Sequence, residues 1–521
     1  MTSRLLPATR LAAGSFTAAC LLIGSPVALA ADQSADPTGE IADLRARLKA
    51  QRDQIDIQKR QLDAQDAQLR EQEKRLDDLA TRAGAGKPDT PDAARATSPS
   101  NAAVLAKPDA GQSGSGAPPQ SQAQAQQSAA ASPSLPTVGS RFDDIKITMG
   151  GSLRTTVNTT TARMQPDATP FFVFPKVNGV SEGTTKIDAR LSSLFFSIEG
   201  AQVGDFKLGG SIYAYLFNGD LLSGLYGFYP GFAYVDATSE RWRFAAGLQM
   251  DIFSPMMPTM VDRMSALAGS GNAGNSFKPQ IRAEHTVPMG RDRIVVQGAL
   301  SDAIASNFKP PTNTTVSNTP SDLLIVTENT GIPNIEARVA WIRGRPGEEG
   351  SWVPWPEYTI GLSGVSGKIR NFTVNSQFAA SSVYNTQVSG VSLEASARIG
   401  RQFGIQGELY SGKALGQYLA TVFQTTNGYH QAIPGHGGWG EMAWYWTPKW
   451  HSHVGMGIDT VNAAYISPTG FVSNRTAFLN LFWDPSPKTT LAVEGTWRRT
   501  VYGGLGENSG YSLMLSSELR F

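Results

Sequence analysis

From residue 141 to the end of the chain, apolar and polar residues alternate one by one in many short segments. In one of them, Trp242, Phe244 and Leu248 alternate with Arg243 and Gln249. Because successive side chains of a β-strand point to opposite sides, a period of two predicts strands with one apolar and one polar face. Sixteen segments of this kind are found, near residues 144–158, 186–200, 206–217, 226–236, 241–250, 277–287, 293–301, 333–342, 357–367, 388–399, 402–411, 438–447, 450–460, 474–483, 489–499 and 511–521.

The connections between these segments alternate between short and long. The short ones include residues 201–205, 237–240, 288–292, 447–449 and 484–488. The long ones lie near 159–185, 251–276, 302–332, 368–387, 412–437 and 500–510. Short turns on one side and long loops on the other are typical of transmembrane β-barrels. We therefore expect an all-β domain over residues 141–521, a sixteen-stranded antiparallel transmembrane β-barrel.

The aromatic residues favour a membrane barrel over a soluble β-sandwich or propeller, the alternative with the same alternation. Trp341, Trp446, Trp483 and Trp497 lie near strand ends, where an aromatic girdle would meet the membrane surface. Beyond residue 30 the chain also has no run of ~18 apolar residues, which a spanning helix would need. A segment that crosses a membrane without such a helix has to belong to a closed barrel.

The first 30 residues have the pattern of a signal peptide. Arg4 and Arg10 provide a basic start, an apolar stretch follows, and the small residues Ala28 and Ala30 mark a cleavage site before Ala31. The one cysteine, Cys20, lies inside this segment, so the mature chain would have neither a disulfide nor a thiol nucleophile. The alternative is a lipoprotein acylated at Cys20.

Residues 31–82 carry a heptad repeat. One set of apolar positions recurs every seven residues, at Ile41, Leu48, Ile55, Leu62, Leu69 and Leu76. The complementary set is Leu44, Gln51, Gln58, Gln65, Gln72 and Leu79. A strict seven-residue period predicts an α-helical coiled coil, and polar core layers fix its register and strand number. A solvated single helix is the alternative. Residues 83–140 are rich in Ala, Gly, Ser, Pro and Gln and predict a disordered linker.

The balance of charges narrows the possible functions. The chain has 45 Lys and Arg against 44 Asp and Glu, which argues against a nucleic-acid partner. Five histidines are present, and the pair His451 and His453 could face the lumen with Asp459. Two histidines without a third ligand are weak evidence for a metal site, so no metal or cofactor is expected. No Ser-His or acid-His arrangement for catalysis is evident, and we expect the chain not to be an enzyme.

A barrel of this size encloses an aqueous channel, because side chains alone do not fill it. The polar faces carry charges of both signs, and such charges determine which solutes a pore admits. The arginines would attract anions and the glutamates would oppose them; a wall that only keeps the lumen wet is the alternative. The expected pore-lining residues are Arg241, Arg243, Arg282, Glu284, Glu336, Arg338, Glu394, Arg398, Glu441, Glu494 and Arg498.

The end of the chain supports assembly in an outer membrane. Tyr511, Leu513, Leu515 and Leu519 share one face of the last strand with Phe521, the final residue. This segment looks like the C-terminal signal that the barrel assembly machinery reads. We therefore expect that machinery as a partner through Phe521, and the outer membrane of a Gram-negative cell, with its lipid and lipopolysaccharide, as the location.

The layout as a whole resembles the DcaP-like trimeric porins. The shared features are a signal peptide, a heptad helix, a linker and a sixteen-stranded barrel, with the sequences GLQMDIFSPMMPT (247–259), RGRPGEE (343–349) and WDPSPKTTLAVEGTWRR (483–499). The resemblance implies a homotrimer and passive uptake of small hydrophilic anions such as dicarboxylates, with the coiled coil in the periplasm. A structural protein that reaches toward peptidoglycan through the coiled coil, or an outer-membrane enzyme, is the alternative.

In trimeric porins the connection after the fifth strand folds inward and narrows the pore. Here that connection is residues 251–275, called the constriction loop below, and its charges are Asp251, Asp262 and Arg263. We expect Asp262 and Arg263 to lie near the narrowest point. The alternative is a surface loop packed on a neighbouring subunit. The loop is less polar and less aromatic than its counterparts in the family, which bears on the choice of solute.

Overall fold

The computed structural model describes residues 145–521 except 177, 218–225, 275, 305–323, 349 and 375–379. The predicted signal peptide (1–30), coiled coil (31–82) and linker (83–140) lie outside the described residues. Among the residues described, no helix is both long enough and apolar enough to cross a membrane.

The described chain forms a closed barrel of sixteen antiparallel strands, as the sequence predicts. Each strand pairs with its neighbour in sequence, and two of the sixteen are interrupted. The strands are β1 Lys146–Thr160, β2 Thr185–Asp188 with Ser193–Val203, β3 Phe206–Phe217, β4 Tyr226–Thr238, β5 Trp242–Met250, β6 Phe277–Met289, β7 Asp292–Ser301, β8 Leu324–Asn329 with Asn334–Arg343, β9 Tyr358–Val374, β10 Ala380–Ile399, β11 Phe403–Lys413, β12 Pro434–Thr447, β13 Trp450–Val461, β14 Phe471–Ser486, β15 Thr489–Tyr502 and β16 Glu507–Arg520.

The barrel closes where the first strand meets the last. β1 pairs with β16 from Ser152 opposite Arg520 to Thr160 opposite Ser512. Its other edge pairs with both pieces of β2. The start of β1 and the end of β16 therefore lie at the same end of the barrel as the short connections, here called the turn end; the opposite end is the loop end.

The apolar faces point outward, away from the lumen. Trp242, Leu393 and Met442 are between 42% and 56% exposed on the outer surface. The polar residues of the same strands are buried inside. An outer belt of exposed apolar side chains around a polar interior is the arrangement of a barrel that spans lipid, and it is the reverse of a soluble β-sandwich.

Two of the predicted long loops are wrong. Residues 368–387 and 500–510 are mostly strand, because β9 and β10 pair as far as Val374 opposite Ala380, and β15 and β16 as far as Val501 opposite Glu507. Lys368, Arg370 and Asn371 interrupt the apolar alternation there. Backbone pairing needs no apolar face, so a strand can continue beyond the lipid where both faces meet polar surroundings.

The remaining regular elements lie in the connections at the loop end. A small hairpin pairs Met164–Gln165 with Phe172–Val173 between β1 and β2. Two 3-10 helices, Gly416–Tyr418 and Thr421–Phe423, lie between β11 and β12. A third, Ala463–Tyr465, follows β13 and is capped by the Asn462 side chain.

Candidate functional site

Arginines and acids on the inner wall pair across the strands. On β5, Arg243 bonds Asp236 of β4 at 2.9 Å and Glu284 of β6 at 2.6 Å. On β8, Arg338 pairs with Glu394 of β10, two strands away. All of these side chains except the half-buried Asp236 are almost completely buried. Their charges therefore largely neutralise one another, which is the arrangement of a structural wall more than of a solute filter.

The constriction loop runs inside the lumen along this wall, as the resemblance implies. Four carboxylates of β8, β11, β12 and β15 accept hydrogen bonds from backbone amides of the loop. The donor and acceptor pairs are Ile252 to Glu336 (3.1 Å), Met256 to Glu408 (2.7 Å), Thr259 to Glu441 (2.7 Å) and Val261 to Glu494 (2.7 Å). Each anion thus satisfies an N–H group that no strand neighbour could reach. The wall glutamates hold the loop in place.

Three arginines, one of them from the loop itself, lie around the middle of the constriction loop. Arg263 donates to Glu518 of β16 at 2.8 Å, and Arg154 of β1 donates to the carbonyl of Val261. Arg520 lies 3.3 Å from the same carboxylate of Glu518. Three guanidinium groups therefore gather at the seam between β1 and β16, around one glutamate.

A cavity of about 390 Å³ lies beside this arginine cluster. Arg154, Arg263 and Arg520 line it, and the acid on its surface is Asp484. Its other walls combine the polar residues Ser152, Thr259, His451 and Thr490 with a larger set of apolar and aromatic side chains. The latter include Tyr213, Tyr215, Phe232 and Phe277 from the strands, Met250, Met257, Met260 and Met264 in or next to the loop, and Trp352, Trp355, Tyr445 and Phe482 nearer the turn end.

At the loop end, residues 414–433, called the mouth loop, fold into the barrel. The Tyr418 hydroxyl donates to Glu336 at 2.9 Å, and the amide of Val422 donates to Asp459 at 2.9 Å. Phe423 packs edge-on against Phe171 and Phe172 of the first connection. The mouth loop and the first connection therefore cover part of the lumen with apolar side chains.

At the turn end, residues 344–357 form a connection as long as the gap between the two predicted strands, and its buried residues Val353 and Trp355 fold inward. Val353 and Trp355 are buried against Ala443 and Tyr445 of β12. At the base of this turn-end segment, the Arg398 guanidinium bonds Glu348 at 3.0 Å and holds the pKa of that carboxyl below its usual value. The lumen is thus narrowed at this end as well.

The histidine pair lies between two acids and is hydrogen-bonded to one of them, Asp484. His451 Nδ1 lies 2.9 Å from His453 Nε2, and His451 Nε2 lies 3.1 Å from Asp484. His453 lies 3.7 Å from Glu441. The expected third member, Asp459, binds the mouth loop instead. Within the described part of the chain, no group of three or more His, Cys, Asp or Glu is arranged to hold a metal ion.

Most of the predicted pore-lining residues lie on the inner wall, where the structure buries them. They are Arg243, Arg282, Glu284, Glu336, Arg338, Glu394, Glu441, Glu494 and Arg498. Arg398 is partly exposed near the turn end, and Arg241 is exposed in the turn before β5. The strand itself begins at Trp242, so Arg241 lies at the turn-end rim, and its role in the pore stays a prediction. The contacts of these nine residues do not show that any of them selects a solute.

The loop charges have different partners. Asp251 is buried and accepts a bond from Ser276, and Asp262 accepts one from the Ser265 hydroxyl at 2.7 Å. Of the three predicted loop charges, only Arg263 lines the cavity. Sequence reasoning missed Arg154 and Arg520, although the alternation around Leu153 already placed Arg154 on an inner face.

These features define a class: a membrane-spanning β-barrel whose lumen is narrowed by an inward loop after the fifth strand. No protein-family model matches the sequence, and no functionally characterised protein matches it. The structure is similar to the outer-membrane channel DcaP of Acinetobacter baumannii, with 14% identity and a TM-score of 0.56 over 74% of this chain and 100% of that one. The resemblance to the DcaP-like porins is thus confirmed for the fold.

Two further solved structures are similar at lower scores. One is an anion-selective porin from Comamonas acidovorans, with 11% identity and a TM-score of 0.44 over 73% of this chain and 100% of that one. The other is the outer-membrane protein OmpT of Vibrio cholerae, with 9% identity and a TM-score of 0.44 over 74% of this chain and 100% of that one.

Proposed function

We propose that this protein is an outer-membrane porin through which small hydrophilic anions diffuse passively. The observation that carries the proposal is the cluster of Arg154, Arg263 and Arg520 on the cavity wall. Two acids line the cavity or bond to these arginines, Asp484 and Glu518, so one positive charge is in excess within this set. A surplus positive charge at the narrow part of a pore favours anions over cations.

The wall glutamates oppose this preference less than the sequence alone indicates. Glu336, Glu408, Glu441 and Glu494 direct their oxygens at the amides of the constriction loop. The positive ends of these N–H groups offset part of the carboxylate charge. The arginine cluster therefore dominates the field in the cavity.

The test is the ion selectivity of the purified protein in planar bilayers, measured as the reversal potential in a potassium chloride gradient. We expect a chloride-selective channel. Arg263→Gln should lower the chloride-to-potassium permeability ratio about fivefold, because one charge contributes about 1 kcal/mol at ~4 Å in water. Arg499→Gln, which removes a charge bonded to Glu507 near the loop end and away from the cavity, is the matched control.

A potassium-selective wild-type channel would contradict the proposal, and so would an unchanged ratio in Arg263→Gln. A protein that inserts but passes no current would favour the structural role, in which the barrel anchors a periplasm-spanning helix. The homotrimer, the coiled coil in the periplasm, the contact with peptidoglycan, the barrel assembly machinery as partner and the preference for dicarboxylates stay predictions from the sequence.

A further inference from the structure

The cavity beside the arginine cluster has an aromatic wall that a pore for small hydrated ions does not require. Tyr213 lies 4.9 Å from Tyr215 and 5.1 Å from Phe232, measured between ring centroids. Phe232 lies 5.8 Å from Phe277. These four residues of β3, β4 and β6, here called the aromatic shelf, form one continuous surface on the wall of the cavity.

Methionines of the constriction loop complete this apolar surface. Met257, Met260 and Met264 line the same cavity as the aromatic shelf. A thioether side chain is flexible and polarisable, and it makes favourable contacts with aromatic rings. An apolar group in the cavity would thus have an aromatic wall and an adaptable thioether surface around it.

The charged side chains around the cavity are suited to bind one carboxylate group. Arg154 and Arg520 lie on neighbouring strands, opposite Glu518 and Ser152 respectively in the pairing of β1 and β16. Arg263 reaches the same place from the loop and is about one-third exposed. With Glu518 and Asp484 counted against the three arginines, one positive charge remains. A second carboxylate on the same solute would find no further cation among the residues that line the cavity, and would face Asp484, neutral polar groups or apolar side chains.

Resting on the proposed function, we infer that this cavity is a binding site for monocarboxylates with a compact aromatic or other apolar body. The carboxylate would bind at Arg263 and its two neighbouring arginines, and the body would pack between the aromatic shelf and the methionines. At about 390 Å³ the cavity falls within the range of sites that take small organic molecules. The site gives a preference among anions, which a surplus charge alone does not provide.

The inference is tested with the full-length protein in planar bilayers bathed in potassium chloride. Benzoate, acetate and succinate are added in turn, and the concentration that halves the chloride current is measured for each. We expect benzoate to halve the current at a concentration about tenfold lower than acetate does. That ratio corresponds to the removal of roughly one ring face, ~60 Å² of apolar surface, from water. Succinate should not act at a lower concentration than benzoate.

Substitutions at Phe232 and Tyr215 test the aromatic shelf, and Tyr226 provides the control. Phe232→Ser should reduce the tenfold ratio of acetate to benzoate to about threefold or less, while Phe232→Leu, which keeps an apolar side chain, should retain most of it. Tyr226 lies on the same strand but outside the cavity, so Tyr226→Ser is the control and should keep the full ratio. If Phe232→Ser does not fold, the same ratio is measured in Tyr215→Ser.

The outcomes separate this inference from the proposed function. A chloride-selective channel in which benzoate and acetate act at equal concentrations would overturn the binding site and leave the porin in place. A full ratio in Phe232→Ser and Tyr215→Ser, or succinate as the best inhibitor, would do the same. A potassium-selective channel would overturn both.

Discussion

At the scale of single residues, the buried glutamates of the wall have an unexpected role. Glu408 accepts three hydrogen bonds, from the amide of Met256 at 2.7 Å, the Ser254 hydroxyl at 2.9 Å and the Trp439 indole at 3.1 Å. Two of these donors belong to the constriction loop. A carboxylate has only acceptors, so it can take several donors at once where an amide side chain cannot. Two acceptor oxygens at this position therefore suit the donors that the constriction loop and Trp439 present.

Replacing Glu408 by Gln tests this role. The amide nitrogen would face the donor of Met256, and a buried donor without an acceptor costs about 1–3 kcal/mol. We expect the guanidinium midpoint of unfolding in detergent to fall accordingly, and the single-channel current to become noisier as the loop loosens.

The control is Glu357→Gln, because Glu357 is about one-third exposed and bonds Arg291 at 3.2 Å near the turn end. Such an exposed pair contributes less than about 1 kcal/mol. Equal losses of stability in both variants would show that Glu408 has no special role in holding the loop.

At the scale of elements, three inward connections decide how much of the barrel stays open. The constriction loop, the mouth loop and the turn-end segment each pack against the inner wall. Gly404 of β11 shows how closely the last of these fits, because a Cβ atom there would lie 2.4 Å from the Trp355 ring and 3.0 Å from Val353. A glycine leaves room for the ring to lie on the strand.

Gly404→Ala should therefore push the Trp355 ring off the wall toward the channel. Overpacking of this kind costs about 1–3 kcal/mol, and we expect both the unfolding midpoint and the single-channel conductance to fall. Gly298→Ala is the matched control, because a Cβ atom at Gly298 of β7 would meet no atom within 4 Å. An unchanged conductance in Gly404→Ala would mean that the turn-end segment does not narrow the pore.

At the scale of the whole molecule, the sequence predicts the barrel well and the inside of the pore poorly. All sixteen strands overlap the predicted segments, and most of them alternate clearly, because lipid on one side and polar surroundings on the other impose the period of two. Connections have no such period. The inward folding of the mouth loop and the turn-end segment depends on contacts between residues far apart in sequence, such as Tyr418 with Glu336.

The aromatic shelf shows the same limit within a strand. In β3, Ile212 faces outward, while Tyr213 and Tyr215 face the lumen. Both faces are apolar there, so alternation cannot tell the inner face from the outer one. Arg154 and Arg520 were visible as polar residues on the first and last strands, but only closure of the barrel brings them together.

Phe521 extends the seam between β1 and β16 beyond the paired residues Ser152 and Arg520. The amide of Phe521 donates to the Gly151 carbonyl at 3.1 Å, and the Gly151 amide donates back at 3.2 Å. These two bonds seal the turn end of the seam between β1 and β16. If Phe521 also serves as the assembly signal, its removal should affect two separable steps, the stability of the seam and recognition in the cell.

Deleting Phe521 should remove about 1–3 kcal/mol from the seam, since each of the two hydrogen bonds contributes about 0.5–1.5 kcal/mol. That loss is modest for refolding in detergent. A free energy of this size does not by itself prevent folding. If Phe521 is also the assembly signal, we therefore expect a much larger loss, about tenfold or more, in the amount of folded barrel recovered from the outer membrane.

The control is Phe403→Ala, which removes a similarly exposed aromatic ring from a strand away from the seam and should leave assembly in the cell near the wild-type level. If the yield of folded barrel falls equally in detergent and in the cell, Phe521 has only a structural role at the seam.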